Sequence, residues 1–320
     1  MFAEASVGYI HYGVFTLGMV FILALDLGVF NRKAHRVSFK EALCWSSVWF
    51  SFSIVFAIFA IPEFYSSDIA SQKRIEYLTG YVLELSLSMD NVFVIALIFS
   101  YFKVRSEFQH RVLFWGILGA LVMRGLMIGI GAAAVAKWDV ILYLFGAFLL
   151  FTGVKMICSD EDDGVEPENN VFVKIARKLL PVHKDFVGDK FLIQSEGRRM
   201  LTPMAIVLIT IESTDVIFAV DSIPAIFVVT TDPFIVFTSN MFAILGLRSL
   251  YFVLAGAIDY FHYLKYGLSL VLVFIGAKML CRHWVEEQFG EIPHWSSLVV
   301  VGVVLLGSML ASVIYKKNSE

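Results

Sequence analysis

Two stretches decide how this chain is read: Glu84-Leu-Ser-Leu-Ser-Met-Asp90-Asn91-Val-Phe-Val-Ile95 and Asp215-Val-Ile-Phe-Ala-Val-Asp221-Ser222-Ile-Pro-Ala-Ile226. In each, an acid precedes by six residues an aspartate that is followed by a small polar side chain, and both lie inside runs apolar enough to cross a bilayer. A charge at membrane depth costs about 2.5–3.5 kcal/mol on insertion scales, so such residues are rare and informative. The repetition continues outward. Met123-Arg124-Gly-Leu-Met answers to Leu247-Arg248-Ser-Leu-Tyr, and Phe151-Thr-Gly153-Val-Lys155-Met156 to Phe274-Ile-Gly276-Ala-Lys278-Met279. Arginine and lysine are 31 residues apart in the first copy and 30 in the second. Each copy, 77–157 and 203–283, holds three apolar spans. An odd number forces the second copy to insert upside down, which is the inverted-repeat plan of secondary transporters.

Composition agrees with a membrane class. Of 320 residues 58% are hydrophobic and 17% charged, with mean hydropathy +0.77, against about 25% charged in soluble domains. We therefore expect an all-α polytopic membrane protein, a single transmembrane domain over 1–320. Its nine spans run at about 7–30, 42–61, 77–102, 111–136, 138–157, 203–229, 233–256, 264–283 and 294–315. A net charge of −3 gives no basic footprint for nucleic acid. Cys44, Cys158 and Cys281 are too scattered for a CxxC motif or a disulfide framework. Glu4, with no basic residue before the first apolar run, argues against a cleaved signal peptide.

Short-loop lysines and arginines set the orientation. With the N-terminus outside, Arg32, Lys33, Arg36, Lys40, Lys103, Arg105, Arg111, Lys265, Lys316 and Lys317 face the cytoplasm, against Lys73, Arg74, Lys137 and Arg282 outside. This N-out, C-in topology also makes the loop 158–202 cytoplasmic. That loop opens on Asp160, Glu161, Asp162 and Asp163, then reads as a short basic amphipathic helix, Val171–Leu180, and a hairpin of Phe191–Gln194 with Arg199–Thr202. Gly164 falls where a calcium loop needs a ligand, so we expect a linker with an interfacial helix.

The candidate site is built from Glu84, Asp90, Asn91, Glu212, Asp215, Asp221 and Ser222. Carboxylates, an amide, a hydroxyl and backbone carbonyls are hard oxygen donors, which suit Mg, Mn or Ca ions better than Cu or Zn. We expect a transported divalent cation, Mn2+ before Ca2+, and no permanent cofactor. In a regular helix Asp221 lies about 120° around from Asp215, so convergence on one ion needs unwinding. Pro224 supplies a cause in the second copy, with Gly80 and the Asp90-Asn91 pair a weaker one in the first. Arg124 and Arg248 either pair with the acids or compensate their charge before an ion binds. Lys155 and Lys278 snorkel at span ends. Gly125, Gly129, Gly131, Gly146, Gly153 and Gly276 mark helix contacts. Asp26 either pairs with Arg32 or Lys33 near the cytoplasmic end of its span or belongs to the ion pathway. An intramembrane aspartyl enzyme is excluded, because Gly129-Ile-Gly131 is followed by Ala132 and not by aspartate.

Ser88-Met-Asp-Asn-Val-Phe-Val94, Asp215 to Ala225, Thr231-Asp-Pro-Phe-Ile-Val-Phe-Thr-Ser-Asn240, Asn240 to Arg248, Phe274 to Met279 and Asp26 to His35 resemble the TerC family of integral membrane proteins, its Alx-type members above all. The resemblance runs along nearly the whole chain. It implies a bacterial inner-membrane protein of a family linked to manganese export, and by name to tellurium resistance and redox modulation. It places the family's membrane acids on Glu84, Asp90, Glu212, Asp215 and Asp221. The sequence shows no paired cysteine, haem ligand set or nucleotide loop for redox chemistry, and acids do not suit a tellurium oxyanion. The function expected is export of a divalent metal ion by alternating access, with proton antiport as a fitting partner for exchangeable carboxylates. The competing expectation is a non-transporting assembly factor that helps metal reach membrane or secreted proteins.

Overall fold

The computed structural model describes residues 7–25, 38–138, 140–158, 170–195, 197–254, 263–281, 284, 288 and 294–314. Its helices are α1 (Tyr9–Leu25), α2 (Phe39–Val55), α3 (Ile61–Phe64), α4 (Ser67–Tyr101), α5 (Ser106–Lys137), α6 (Val140–Cys158), α7 (Val171–Leu179), α8 (Pro203–Val229), α9 (Pro233–Leu254), α10 (Leu264–Leu280) and α11 (His294–Ile314). One antiparallel hairpin, β1 (Leu192–Ser195) with β2 (Arg198–Leu201), lies between α7 and α8. Gly197, at φ +73°, takes the left-handed backbone that its turn requires. The protein is a polytopic all-α membrane protein.

Among the described residues seven helices are long and apolar enough to span a bilayer, against nine expected: α2 with α3, α4, α5, α6, α8, α9 and α11. The remaining two expected spans are helices of 17 residues each, α1 and α10. Between α2 and α3 the chain widens into a π-helical stretch, Phe56–Ala60. Pro62 explains it: without an N–H it cannot close a normal turn onto residue 58. Asp26 and the acids at 160–163 lie outside the described residues.

Burial orders the bundle. In α9, 89% of the apolar window is buried, against 17% in α6, so α9 is the axis and α6 faces outward. Phe15, Phe52, Phe56 and Tyr77 gather around Phe242, with the Phe56 and Phe242 rings 4.9 Å apart, and Phe15 and Phe64 pack on Phe234, so that α1 and α2 are fastened to α9. Helices α6 and α10 run antiparallel and close. A Cβ on Gly153 would lie 2.9 Å from the Ser269 carbonyl, and one on Gly276 would lie 2.7 Å from the Gly146 carbonyl. Backbone contact of this kind is what small residues permit between membrane helices. Gly129 behaves otherwise, with nothing within 4 Å of an added Cβ.

The expected unwinding does not occur. Helix α8 runs unbroken from Pro203 to Val229 through Pro224, and α4 is continuous past Gly80 and Asn91. Pro224 is buried against the surrounding helices, whose packing accommodates the one lost backbone bond.

Candidate functional site

Helices α4, α5, α8 and α9 meet at mid-height around Arg124, which is 1% exposed. On α4, Glu84, Ser88 and Asn91 follow a four- then three-residue spacing and therefore share a face. The Arg124 guanidinium is ion-paired with Glu84, which is fully buried. It also grips Asp215 with two bonds, Nη2 donating to Oδ1 at 2.8 Å and Nε to Oδ2 at 3.2 Å. Such a planar fork is what arginine offers a carboxylate. Nη1 donates to Asn240 Oδ1 at 3.5 Å, and the Asn240 amide is itself held by the Val236 carbonyl at 2.8 Å. Asn91 Nδ2 donates to Asp215 Oδ1 at 3.2 Å, and Ser88 Oγ to Glu84 Oε1 at 3.2 Å. One cation thus joins the leading acids of the two repeated stretches.

Two clefts flank this network. The first, of about 450 Å³, is lined by Asn91, Glu212, Asp215, Phe218 and Arg248 among Ile95, Leu113, Ile117 and Ile211. The second, of about 390 Å³, opens between α4, α8, α6 and α10 and is lined by Glu84, Asn91, Arg124, Thr152, Met156, Asp221 and Ser222, with Phe218. Asn91 and Phe218 line both clefts and form the partition between them. Helical geometry accounts for the division. Glu212, Asp215 and Phe218 are three apart on one face, and Phe218 leads by three and four residues to Asp221 and Ser222 on the next. An unbroken α8 therefore shows its acids to two spaces.

Three buried oxygen atoms that have no hydrogen-bond partner belong to residues lining the second cleft: Glu84 Oε2, Asn91 Oδ1 and Ser222 Oγ. Ser222 is 1% and Asn91 4% exposed. Asp221 hydrogen-bonds Thr152, with the charge of Lys155 nearby. Buried oxygens of this kind are normally satisfied, and left unsatisfied they call for a ligand. The set of two carboxylates, an amide, two hydroxyls and a thioether fits a divalent cation. It is not a rigid shell: among the described residues no three Asp, Glu, His or Cys side chains stand together as a metal-holding group.

Of the seven residues expected to form one site, Glu84, Asn91, Asp221 and Ser222 share the second cleft, while Glu212 and Asp215 line the first. The Glu212 carboxylate packs onto Gly119, where only the missing Cβ makes room for it. Asp90 lies within α4, and its side chain is outside the described residues. Arg248 lines the first cleft, and Lys278 donates to Ser297 Oγ at 2.6 Å, tying α10 to α11.

Sequence reasoning missed two features. Asn240 is fully buried at the centre of the network, and only its place in the Thr231–Asn240 motif pointed to it. The other is a latch at the start of α4. Lys73, read as a loop residue, is 7% exposed in a helix that begins ten residues earlier than expected. Its ammonium lies 3.2 Å from Glu76 and 3.3 Å from Asp232. Thr230 donates to Glu76 at 2.6 Å, and Tyr65 donates to Asp232 at 2.9 Å. Asp232 also caps α9 through Phe234 N at 3.0 Å. The Asp232-Pro233 pair is a helix-start signature that could have revealed it.

The integral membrane protein TerC family model matches residues 69–320. The chain is 46% identical over 301 residues to an uncharacterized membrane protein, STKORF319, of Myxococcus xanthus, covering 94% of this chain and 91% of that one. It is 46% identical over 303 residues to the Escherichia coli K12 protein named "Putative membrane-bound redox modulator Alx", covering 92% of each. A membrane protein of Rickettsia felis is 40% identical over 295 residues, covering 92% of this chain and 94% of that one. No solved structure matches the chain. A family match over most of the chain, joined to these full-length relatives, leaves one conclusion: the chain belongs to the TerC family of integral membrane proteins.

Proposed function

We propose that this protein is a secondary transporter that exports a divalent metal ion, Mn2+, from the cytoplasm of a bacterial cell across its inner membrane. The observation that carries the reading is the set of unpartnered buried oxygens, Glu84 Oε2, Asn91 Oδ1 and Ser222 Oγ, on residues that line one cleft with Asp221. Hard oxygen donors in a loose arrangement suit an ion that must leave as well as bind. The two clefts serve as successive stations, with Glu212 and Asp215 at one and Glu84 and Asp221 at the other. Phe218 and Asn91 divide them. Arg124 is the counter-charge common to both stations, since it holds Asp215 of the first and Glu84 of the second.

Two inverted three-helix repeats, 77–157 and 203–283, would supply the alternating states. Reciprocal contacts between α6 and α10 support them. Gly153 approaches Ser269 and Val273, and Gly276 approaches Gly146 and Leu150, residues that correspond pairwise on the same alignment shift. The redox reading in the relatives' name draws no support from the thiols, because Cys44, Cys158 and Cys281 are free and exposed. The assembly-factor reading has one observation in its favour: Glu84 and Asp215 are engaged in an ion-pair network. Flux of Mn2+ through purified protein in liposomes separates the two. Transport that disappears in Asp221→Asn, with the variant still folded, supports export. No flux of any divalent ion, with or without a pH gradient, refutes it and leaves the assembly factor.

A further inference from the structure

Met156 is the one soft donor on the wall of the second cleft, otherwise lined by oxygen donors, Arg124 and apolar side chains. It stands one turn beyond Thr152 on α6, and this four-residue spacing turns both side chains to the cleft face. Thr152 is bonded to Asp221, so the two residues place a hydroxyl and a thioether on the wall that carries a site acid. The same cleft is lined by Glu84, Asn91 and Ser222, whose unpartnered oxygens are buried. Met156 is half-buried and packs beside Leu268 and Leu272 of α10, so its position is set by the tight α6–α10 contact. Met89, next to Asp90 in sequence, packs in the hydrophobic core and lines neither cleft.

We infer that Met156 is the specificity-determining residue of the second cleft, its thioether admitting a first-row transition-metal ion such as Mn2+ and discriminating against Ca2+ and Mg2+. The inference rests on the transporter reading above. Its chemical basis is general. Carboxylate, amide and hydroxyl donors serve Mg2+, Ca2+ and Mn2+ alike, so the oxygen set alone offers little choice among them. Mn2+ stands at the hard end of the first-row series, but as a d-block ion it gains a little from a polarizable sulfur, whereas an alkaline-earth ion gains nothing there to replace the water it sheds. One such donor among oxygens turns a general divalent site into a selective one without binding the ion too tightly to release.

The test is ion flux through the full chain in liposomes, with Mn2+ and Ca2+ measured separately for wild type, Met156→Leu, Met156→Cys and Met89→Leu. Methionine-to-leucine exchange conserves volume and is tolerated in packed cores, and thermal unfolding of each variant in detergent confirms that it is folded. Met156→Leu is expected to lower the Mn2+/Ca2+ ratio about tenfold, equivalent to about 1.4 kcal/mol of discrimination. Met156→Cys, which keeps a sulfur, is expected to retain most of the preference, and Met89→Leu all of it. A wild-type ratio preserved in Met156→Leu overturns the inference, as does equal loss in the leucine and cysteine variants. Should leucine at 156 prevent folding, the cysteine variant and the wild-type ratio decide: no wild-type preference for Mn2+ overturns the inference. Failure of the underlying reading looks different, because wild type would then move neither ion.

Discussion

Replacing Arg124 by glutamine removes the one cation that, among the described residues, touches both Glu84 and Asp215, and the structure sets the scale of the consequence. The side chain is 1% exposed and makes an ion pair to Glu84, two bonds to Asp215 and one to Asn240. Breaking a buried ion pair from one side costs about 3–5 kcal/mol, because the partner charge is left without compensation. Two carboxylates are stranded here, but each keeps one neutral donor, Ser88 for Glu84 and Asn91 for Asp215. That places Arg124→Gln near the middle of the range, about 4 kcal/mol. Asp215→Asn is milder at about 2 kcal/mol, since Arg124 retains Glu84 and Asn240 and loses mainly charge-assisted bonding. The assay is thermal unfolding of the detergent-solubilised chain followed by tryptophan fluorescence, with and without Mn2+. Arg124→Gln should melt lowest, Asp215→Asn in between. Mn2+ should raise the variant more than the wild type, because the ion then enters acids that no guanidinium holds. Saturation at a hundred times Kd contributes about 2.7 kcal/mol, more than half the loss. Arg124→Gln melting with the wild type would refute the structural role of the network. A destabilised variant that Mn2+ does not raise would refute the idea that arginine and ion compete for the same carboxylates.

Four further outcomes are expected. Asp221→Asn and Asp90→Asn abolish Mn2+ flux in liposomes while size-exclusion profiles stay unchanged; normal flux in either removes that residue from the pathway. Gly119→Ala pushes the Glu212 carboxylate aside at little cost in stability, since only the end of a flexible side chain must move, so melting stays near wild type while flux falls; unchanged flux would free Glu212 of a role. Gly276→Leu destabilises the protein by about 3 kcal/mol or more, because its side chain would enter the Gly146 and Leu150 backbone, and the melting curve reads it. Lys73→Met leaves Glu76 and Asp232 buried without their ammonium, costs about 3 kcal/mol, and should speed hydrogen exchange in the first turns of α4 and at the α8–α9 turn before anywhere else.

The spans were legible because hydropathy at membrane depth is a strong signal: the sixth was expected at 203–229 and α8 occupies Pro203–Val229. What hydropathy hides is polar helix beyond the apolar run. Windows stop at charges, so the first ten residues of α4 were read as loop, although Lys73 is buried by pairing with Asp232 across the bundle and Glu76 by its bonds to Lys73 and Thr230. Pairing over 150 residues of sequence leaves no local pattern to read. The site shows the same division. Repeated acids were visible as charges where charge is costly, and helix geometry already sets Asp215 and Asp221 about 120° apart; unwinding near Pro224 was expected to bring them together, and the unbroken α8 instead shows them to two clefts. Asn240 carries no charge and no periodic signal, so beyond its place in the Thr231–Asn240 motif its role is read from a three-dimensional neighbour, Arg124.

The division of acids has an energetic logic that a single cluster would lack. Glu84, Asp215, Glu212 and Asp221 gathered at one point without an ion would repel one another in a medium that screens poorly, with pair energies of several kcal/mol at an effective dielectric near 20. Spread over two clefts, each pair of acids faces a separate space, and Arg124 offsets one member of each pair. By formal charge the second cleft then presents Glu84 and Asp221 against the shared Arg124 charge, with Lys155 near Asp221, while Arg248 lines the first cleft. If the guanidinium leans to Asp215, Glu84 loses its compensation and the second cleft becomes more negative. If it leans to Glu84, the balance reverses. A side chain already bonded to both acids makes that shift over a short distance, and Asn240 is placed to follow it. In the proposed exporter the ion and the arginine would alternate at each station, and neither cleft would hold a dication as strongly as its acids alone. The proposed export requires that weakness, since an ion bound at the full strength of two desolvated carboxylates would not be released.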